Sequence, residues 1–148
     1  MIKKVIISFG LLFLILAGYY VSKTSKESPF LIKEGRYPMT VQFISDTPGF
    51  VSVTERYDSL FLEGSSFSSD SSGYIHMNGH INMNVPDSFQ FIGRIKMFAF
   101  KECCGLIDKT GEWTFRRMDN RTFFRLKERD KLCNYYTYCT YLDIHTKN

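Results

Sequence analysis

Alanine is nearly missing from this chain: among 148 residues only Ala17 and Ala99 occur, against fourteen Phe and nine Tyr. Aromatic and β-branched side chains suit a pleated surface better than a helix, so this balance points away from a helical bundle and toward strands. Beyond the first residues, no segment holds a helical period for more than about two turns. The signatures of catalysis are also lacking. Serines crowd Ser65 to Ser72, but none sits in a Gly-x-Ser-x-Gly elbow, and a nucleophile needs a base and an orienting group beside it. Glu102, Asp108, Glu112 and Asp119 read as turn and strand-end carboxylates, where solvated charge is the default. The expectation is a protein that is not an enzyme, with no cofactor.

Metal and nucleic-acid chemistry find little support either. Cys103 and Cys104 are adjacent, without the two to four intervening residues of structural zinc knuckles. His76 and His80 are four apart, a chelating spacing on a helix, but on a strand the rings stand about 13 Å apart. They read as solvated, with pH sensing as the competing role because imidazole titrates near neutrality. A net charge of +4 is too mild to indicate nucleic acid by itself.

What is present begins with Lys3 and Lys4, followed by Val5 to Val21, a run without a charged residue. As a helix it extends roughly 25 Å, enough to cross a bilayer that thins locally. Leu16-Ala17-Gly18 comes closest to a cleavage signal, but Tyr19 stands where a lipidated Cys would have to be. The expected arrangement is therefore an uncleaved transmembrane anchor over residues 1–22, with Lys3 and Lys4 cytoplasmic and an ordinary cleaved signal as the competing reading. Residues 23–29 form a tether, and residues 30–148 a periplasmic domain at the end of a single pass through a bacterial inner membrane.

That domain is organised around Tyr74 to Val85, whose strict alternation has period 2. Ile75, Met77, Ile81 and Met83 share a dry face, while His76, Asn78, His80 and Asn82 share a wet one. Pro86-Asp87-Ser88 turns the chain into a second arm, Phe89 to Lys101, with Phe89, Phe91, Ile95 and Met97 on its dry face. These eight apolar residues are expected to line a core or a pocket. Gly79 and Gly93 interrupt that face in both arms, a sign of strong coiling or close approach. Further turns are expected at Asp46-Thr47-Pro48-Gly49, Asp108-Lys109-Thr110-Gly111 and Asp119-Asn120, with a loop or a frayed edge over Ser65 to Gly73. Roughly eight strands result, the last within Tyr135 to Ile144. The fold class expected is all-β, a small antiparallel β-barrel or curled sheet.

Cys103, Cys104, Cys133 and Cys139 fall in the exported part, where thiols oxidise. A bond between the adjacent pair would close a strained ring, so each of Cys103 and Cys104 is expected to bridge to Cys133 or Cys139, in either order. Arg116, Arg117, Arg121, Arg125 and Arg129 lie among Trp113, Phe115, Phe123 and Phe124. They read as a solvated strand face, or else as a site for an anionic ligand, an acidic partner or lipid headgroups.

The Lys-Lys start, the anchor ending Ala-Gly-Tyr-Tyr, the Ser-rich segment and Gly73-Tyr74-Ile75-His76-Met77-Asn78-Gly79 resemble the FidL-like family of small membrane proteins, over roughly residues 1 to 100. By analogy with FidL-like and ToxS-like proteins, the resemblance implies a periplasmic partner of a membrane-bound winged-helix transcriptional regulator. It also implies a lipocalin-like barrel that protects the regulator and in some cases helps sense a small amphiphilic ligand. A free strand edge would accept a strand from the partner. The alternative is an exported inhibitor or immunity-type protein acting on an envelope enzyme or toxin through the Ser65 to Gly73 loop.

Overall fold

The computed structural model describes residues 30–42, 44, 47–99, 105–118, 121–132 and 141–146. Its elements are β1 (Gly35–Val41), β2 (Gly49–Arg56), β3 (Ser59–Phe67), β4 (Tyr74–Val85), β5 (Ser88–Ala99), β6 (Gly105–Arg117), β7 (Phe123–Leu126), a single helical turn α1 (Arg129–Leu132) and β8 (Leu142–His145). Each strand pairs antiparallel with the next, and β8 pairs back onto β1 through Met39–Ile144 and Val41–Leu142, which closes an eight-stranded barrel. The alternation read from the sequence sets the two sides of its wall. Ile75, Met77, Ile81, Phe89, Phe91, Ile95 and Met97 are all buried in one apolar interior with Trp113, Phe115 and Phe124. The Phe89 ring stacks on Phe115 at 4.9 Å and meets Phe124 edge-on at 5.1 Å.

The long hairpin β4–β5 bends where Gly79 faces Gly93, and Gly111 of β6 continues the row. All three fall at inward positions. A Cβ on Gly93 would lie 2.4 Å from the Asn78 carbonyl oxygen, 2.4 Å from the Phe91 ring and 2.7 Å from the Gly79 Cα. The space those side chains would fill is taken by Phe91, and the Trp113 Nε1–H donates to the Gly93 carbonyl at 3.1 Å. An aromatic ring folded over a strand glycine is a device for tight curvature.

Two-residue turns close β2–β3 at Tyr57 and Asp58 and β4–β5 at Pro86 and Asp87. The β2–β3 turn, the β4–β5 turn, the start of β1 and the end of β6 therefore share one end of the barrel. Residues 30–33 form a strap across it. The Phe30 N–H donates to Asp87 Oδ1 (3.1 Å), the Asp87 N–H donates to the Phe30 carbonyl (2.9 Å), and Asn84 Nδ2 donates to the Ile32 carbonyl (2.7 Å). Arg117 Nε reaches the same Asp87 oxygen at 2.8 Å. Phe30 lies 5.8 Å from Phe124, and Ile32 is buried, so the strap seals this end of the core.

Several expectations need correction. Met83 does not share the dry face: it is 54% exposed. The register slips between Ile81 and Met83, leaving Asn82 as an extra residue, and one inserted residue in a ladder exchanges the two faces beyond it. Asn84 consequently takes the inward position opposite Phe89. Asp108 to Gly111 is not a turn but mid-strand in β6, where Asp108 pairs with Arg94 by two hydrogen bonds of 2.5 and 2.6 Å. Ser65 to Phe67 belongs to β3, so the loop shortens to residues 68–73. Barrel closure also removes the free edge strands expected to receive a partner. Beyond Phe115 the β7 side of β6 is covered by the segment leading into α1, with the Thr114 N–H donating to Glu128 Oε2 and the Lys127 N–H donating to the Thr114 carbonyl.

Among the described residues no helix is long and apolar enough to cross a membrane. The expected anchor and tether, the Asp119-Asn120 turn, the four cysteines and most of Tyr135 to Ile144 lie outside the described residues, although β8 occupies the end of that last run. The bulge makes a direct prediction. In denaturant unfolding, Ile81→Ala should lose roughly 2–3 kcal/mol, as a buried aliphatic truncation does. Met83→Ala should stay within about 0.5 kcal/mol, as an exposed position does.

Candidate functional site

The outer face of β1 to β6 carries residues that the register brings side by side from distant parts of the chain. One row crosses the wall as Pro38, Phe50, Ser65, His76, Lys96 and Asp108, and the next as Arg36, Ser52, Glu63, Asn78, Arg94 and Thr110. Between them lies a cleft of about 510 Å³, lined by Arg36, Phe50, Ser52, Glu63, Ser65, His76 and Asn78 together with the backbone of Gly64 and Met77. The Arg36 guanidinium sits 3.9 Å over the Phe50 ring. That contact places the cation against the ring, and Glu63 brings a carboxylate to the lining of the same cleft.

Aromatic rings extend the site toward the far end of the barrel. The rings of Phe67 and Tyr74 stand 5.3 and 5.5 Å from the His76 ring, and Phe98 stacks on Tyr74 at 6.5 Å. Phe50 and Phe67 are exposed, at 42% and 51%. His80 faces the same side but belongs with Phe61, 6.3 Å away, nearer the strap end. The two histidines thus keep separate neighbours, and among the described residues no three His, Cys, Asp or Glu come together to hold a metal ion.

The basic stretch is sorted by the barrel into several roles. Trp113, Phe115 and Phe124 turn inward and Phe123 outward. Arg125 makes a bidentate pair with Asp143, both contacts at 2.7 Å, and stacks over Tyr141 at 4.1 Å. The Arg129 guanidinium also stands over that ring, at 4.5 Å. Arg117 is committed to Asp87, whereas Arg116 and Arg121 are exposed. A bidentate Arg pair on a half-buried wall ties β7 to β8, so most of these arginines hold the barrel together.

The loop between β3 and β4 is also built rather than loose. Asp70 Oδ1 accepts from Ser68 Oγ (2.6 Å), from the Ser72 N–H (3.0 Å) and from Ser72 Oγ (2.7 Å). The Gly73 N–H donates to Ser68 Oγ at 2.7 Å. These donors, led by the Ser68 hydroxyl, lower the Asp70 carboxyl from 3.8 to about 2.

These features define a small closed antiparallel β-barrel with an apolar interior, an aromatic and charged outer cleft, and a knotted loop at one rim. A family model matches residues 22–146, and the chain belongs to the PM1083 family. No curated protein and no solved structure matches it.

Three of the site's residues escape sequence reasoning. Arg36 and Phe50 meet only because β1 pairs with β2, and Phe67 lies in a small, polar stretch that reads as a loop or a frayed edge; the outward parity of Phe50 relative to Val51 and Val53 is the available signal. The Asp70 knot supplies a pH test. A carboxyl depressed in the folded loop contributes order that is complete above its unfolded value and disappears as pH falls through the folded one. Protection factors of the Ser72 and Gly73 amides, each referred to the intrinsic exchange rate at that pH, should therefore hold at pH 5 and fall between about pH 4 and pH 2, and Asp70→Asn should show the low acid-state protection already at neutral pH.

Proposed function

We propose that this is a non-enzymatic, membrane-anchored accessory protein whose periplasmic, lipocalin-like barrel binds and stabilises a membrane-bound transcriptional regulator. The observation that carries the reading is the outer cleft. Phe67, Tyr74 and His76 form an aromatic cluster, and His76 shares the adjoining cleft with Phe50, Arg36 and Glu63, the mixture of rings and Arg that dominates protein interfaces. Sequence supports the same reading through the uncharged run Val5 to Val21 and the resemblance of Gly73 to Gly79 to FidL-like proteins. Because the barrel closes on itself, recognition proceeds through side chains on the wall rather than by addition of a strand.

A second reading is favoured by the Asp70 knot. A loop held in one conformation before binding loses little entropy on docking, which suits an inhibitor that presents residues 68–73 to an envelope enzyme or toxin. The two readings meet at the far end of the barrel but rest on different residues, the rings of the wall in one and the hydrogen-bonded loop around Asp70 in the other. The full chain, co-expressed with a candidate membrane regulator and purified in mild detergent, should retain the regulator. Phe67→Ser should abolish the complex, since a central aromatic truncation costs at least about 2 kcal/mol, more than tenfold in affinity, while Asp70→Asn should not. Retention unaffected by Phe67→Ser but lost with Asp70→Asn would favour the loop reading, and no retained regulator at all would contradict the first.

A further inference from the structure

The strap end of the barrel is unusually apolar for a surface. Of the nine large apolar side chains most exposed among the described residues, Leu31, Tyr57, Met83, Val85 and Met118 lie at this one end. Three of them surround a single turn. Val85 precedes Pro86-Asp87, Leu31 follows the Phe30 that is bonded to Asp87, and Met118 follows the Arg117 whose N–H donates to the Asp87 carbonyl.

Tyr57 adds an independent observation. It is 99% exposed at the tip of the β2–β3 turn, with φ at 51° and Asp58 at 58°. Two consecutive left-handed residues make the hairpin turn normally filled by Asn-Gly, and a bulky aromatic there is strained. Strain kept at a hairpin tip to project a ring fully into water is a signature of function. A tyrosine, apolar in its ring and polar at its hydroxyl, is suited to the boundary between headgroups and acyl chains.

The chain itself leads to this end. Phe30 opens the strap, and only residues 22–29 separate it from the uncharged run Val5 to Val21. Eight residues reach at most about 29 Å. The exposed cations Arg116 and Arg121 lie on the β6–β7 side, near Met118; on the β1 to β3 side the exposed acids Glu34, Glu55 and Asp58 alternate with the exposed cations Lys33 and Arg56, and Asp87 is engaged by Arg117.

We infer that the strap end of the barrel seats on a bilayer containing anionic lipid, with Tyr57, Leu31, Val85 and Met118 entering the interface and Arg116 and Arg121 reaching lipid phosphates. The inference rests on reading residues 5–21 as the membrane anchor and adds to it a fixed orientation: the β2–β3 turn faces the membrane and the far end, with Phe67 and the Asp70 loop, faces away. The barrel wall then stands beside the membrane with its aromatic cleft accessible from the side, where another membrane-bound protein would meet it.

The test uses the full chain in liposomes of phosphatidylcholine and phosphatidylglycerol whose acyl chains are brominated near the headgroup. Native Trp113 is 2% exposed inside the barrel and supplies an unquenched background. Tyr57→Trp should add emission that brominated lipid quenches, and the quenching should weaken when phosphatidylglycerol is omitted. Phe67→Trp, at the opposite end, should add emission that the same lipid leaves intact. If the chain floats with the liposomes but Tyr57→Trp is not quenched, or Phe67→Trp is quenched as strongly, the seat is overturned and the anchor stands. If the chain does not float with the liposomes, the anchor and the seat fall together.

Discussion

The backbone contact between Gly79 and Gly93 is the constraint on which the rest of the barrel depends. Twelve-residue arms such as β4 and β5 make a flat ribbon unless something bends them, and here the bend is made by bringing two backbones closer than any Cβ permits. Phe91 then folds over the gap and Trp113 fixes the Gly93 carbonyl from β6. With the three longest strands coiled in this way, the short strands β7 and β8 suffice to complete the circle back to β1. Closure determines both what the interior holds and what the outside offers. Inside, phenylalanine rings fill the space around Phe89; outside, rows of residues remote in sequence are drawn into one curved wall.

That dependence explains what could be read from the sequence and what could not. Period-2 alternation in β4 and β5 is local, and it correctly sorted Ile75, Met77, Phe91 and Ile95 from His76 and Asn78. It also flagged Gly79 and Gly93 as sites of curvature. Parity, however, carries no marker for an inserted residue, so the exchange of faces at Asn82 was invisible and Met83 was placed inside. Asp108-Lys109-Thr110-Gly111 has the composition of a turn, but tertiary pairing overrides it: Arg94 neutralises Asp108 across the ladder, and Gly111 continues the glycine row opposite Gly93. The outer cleft was illegible for a different reason. Arg36, Phe50, Glu63 and His76 come from four strands, and only the closed register makes them neighbours.

Two ends and one wall divide the functional surface. The strap end gathers exposed apolar side chains and a strained tyrosine where the chain enters from its N-terminal run. The far end carries the Asp70 knot and Phe67, and the wall between them carries the cleft. A barrel seated on one end beside a membrane protein presents its side as the natural contact, so the proposed partner binding and the proposed lipid seat support one another without sharing residues. The arginine-rich stretch, which reads as a recognition site in one dimension, serves mainly to join β7 to β8 and to close the strap over Phe124.

The most direct test of this account compares two glycines in the same row by chemical denaturation. Gly93→Ala places a methyl group against the Asn78 carbonyl and the Gly79 backbone, whereas at Gly111 the nearest atoms to a new Cβ are those of the Trp113 ring at an ordinary 3.8 Å. Gly93→Ala should cost about 3 kcal/mol or prevent folding, the upper range of overpacking. Gly111→Ala should cost no more than about 0.5 kcal/mol, with folding of that variant showing that the row tolerates a methyl group where the backbones stand apart. Equal stability of the two variants would contradict the claim that the Gly79–Gly93 contact sets the curvature of the barrel.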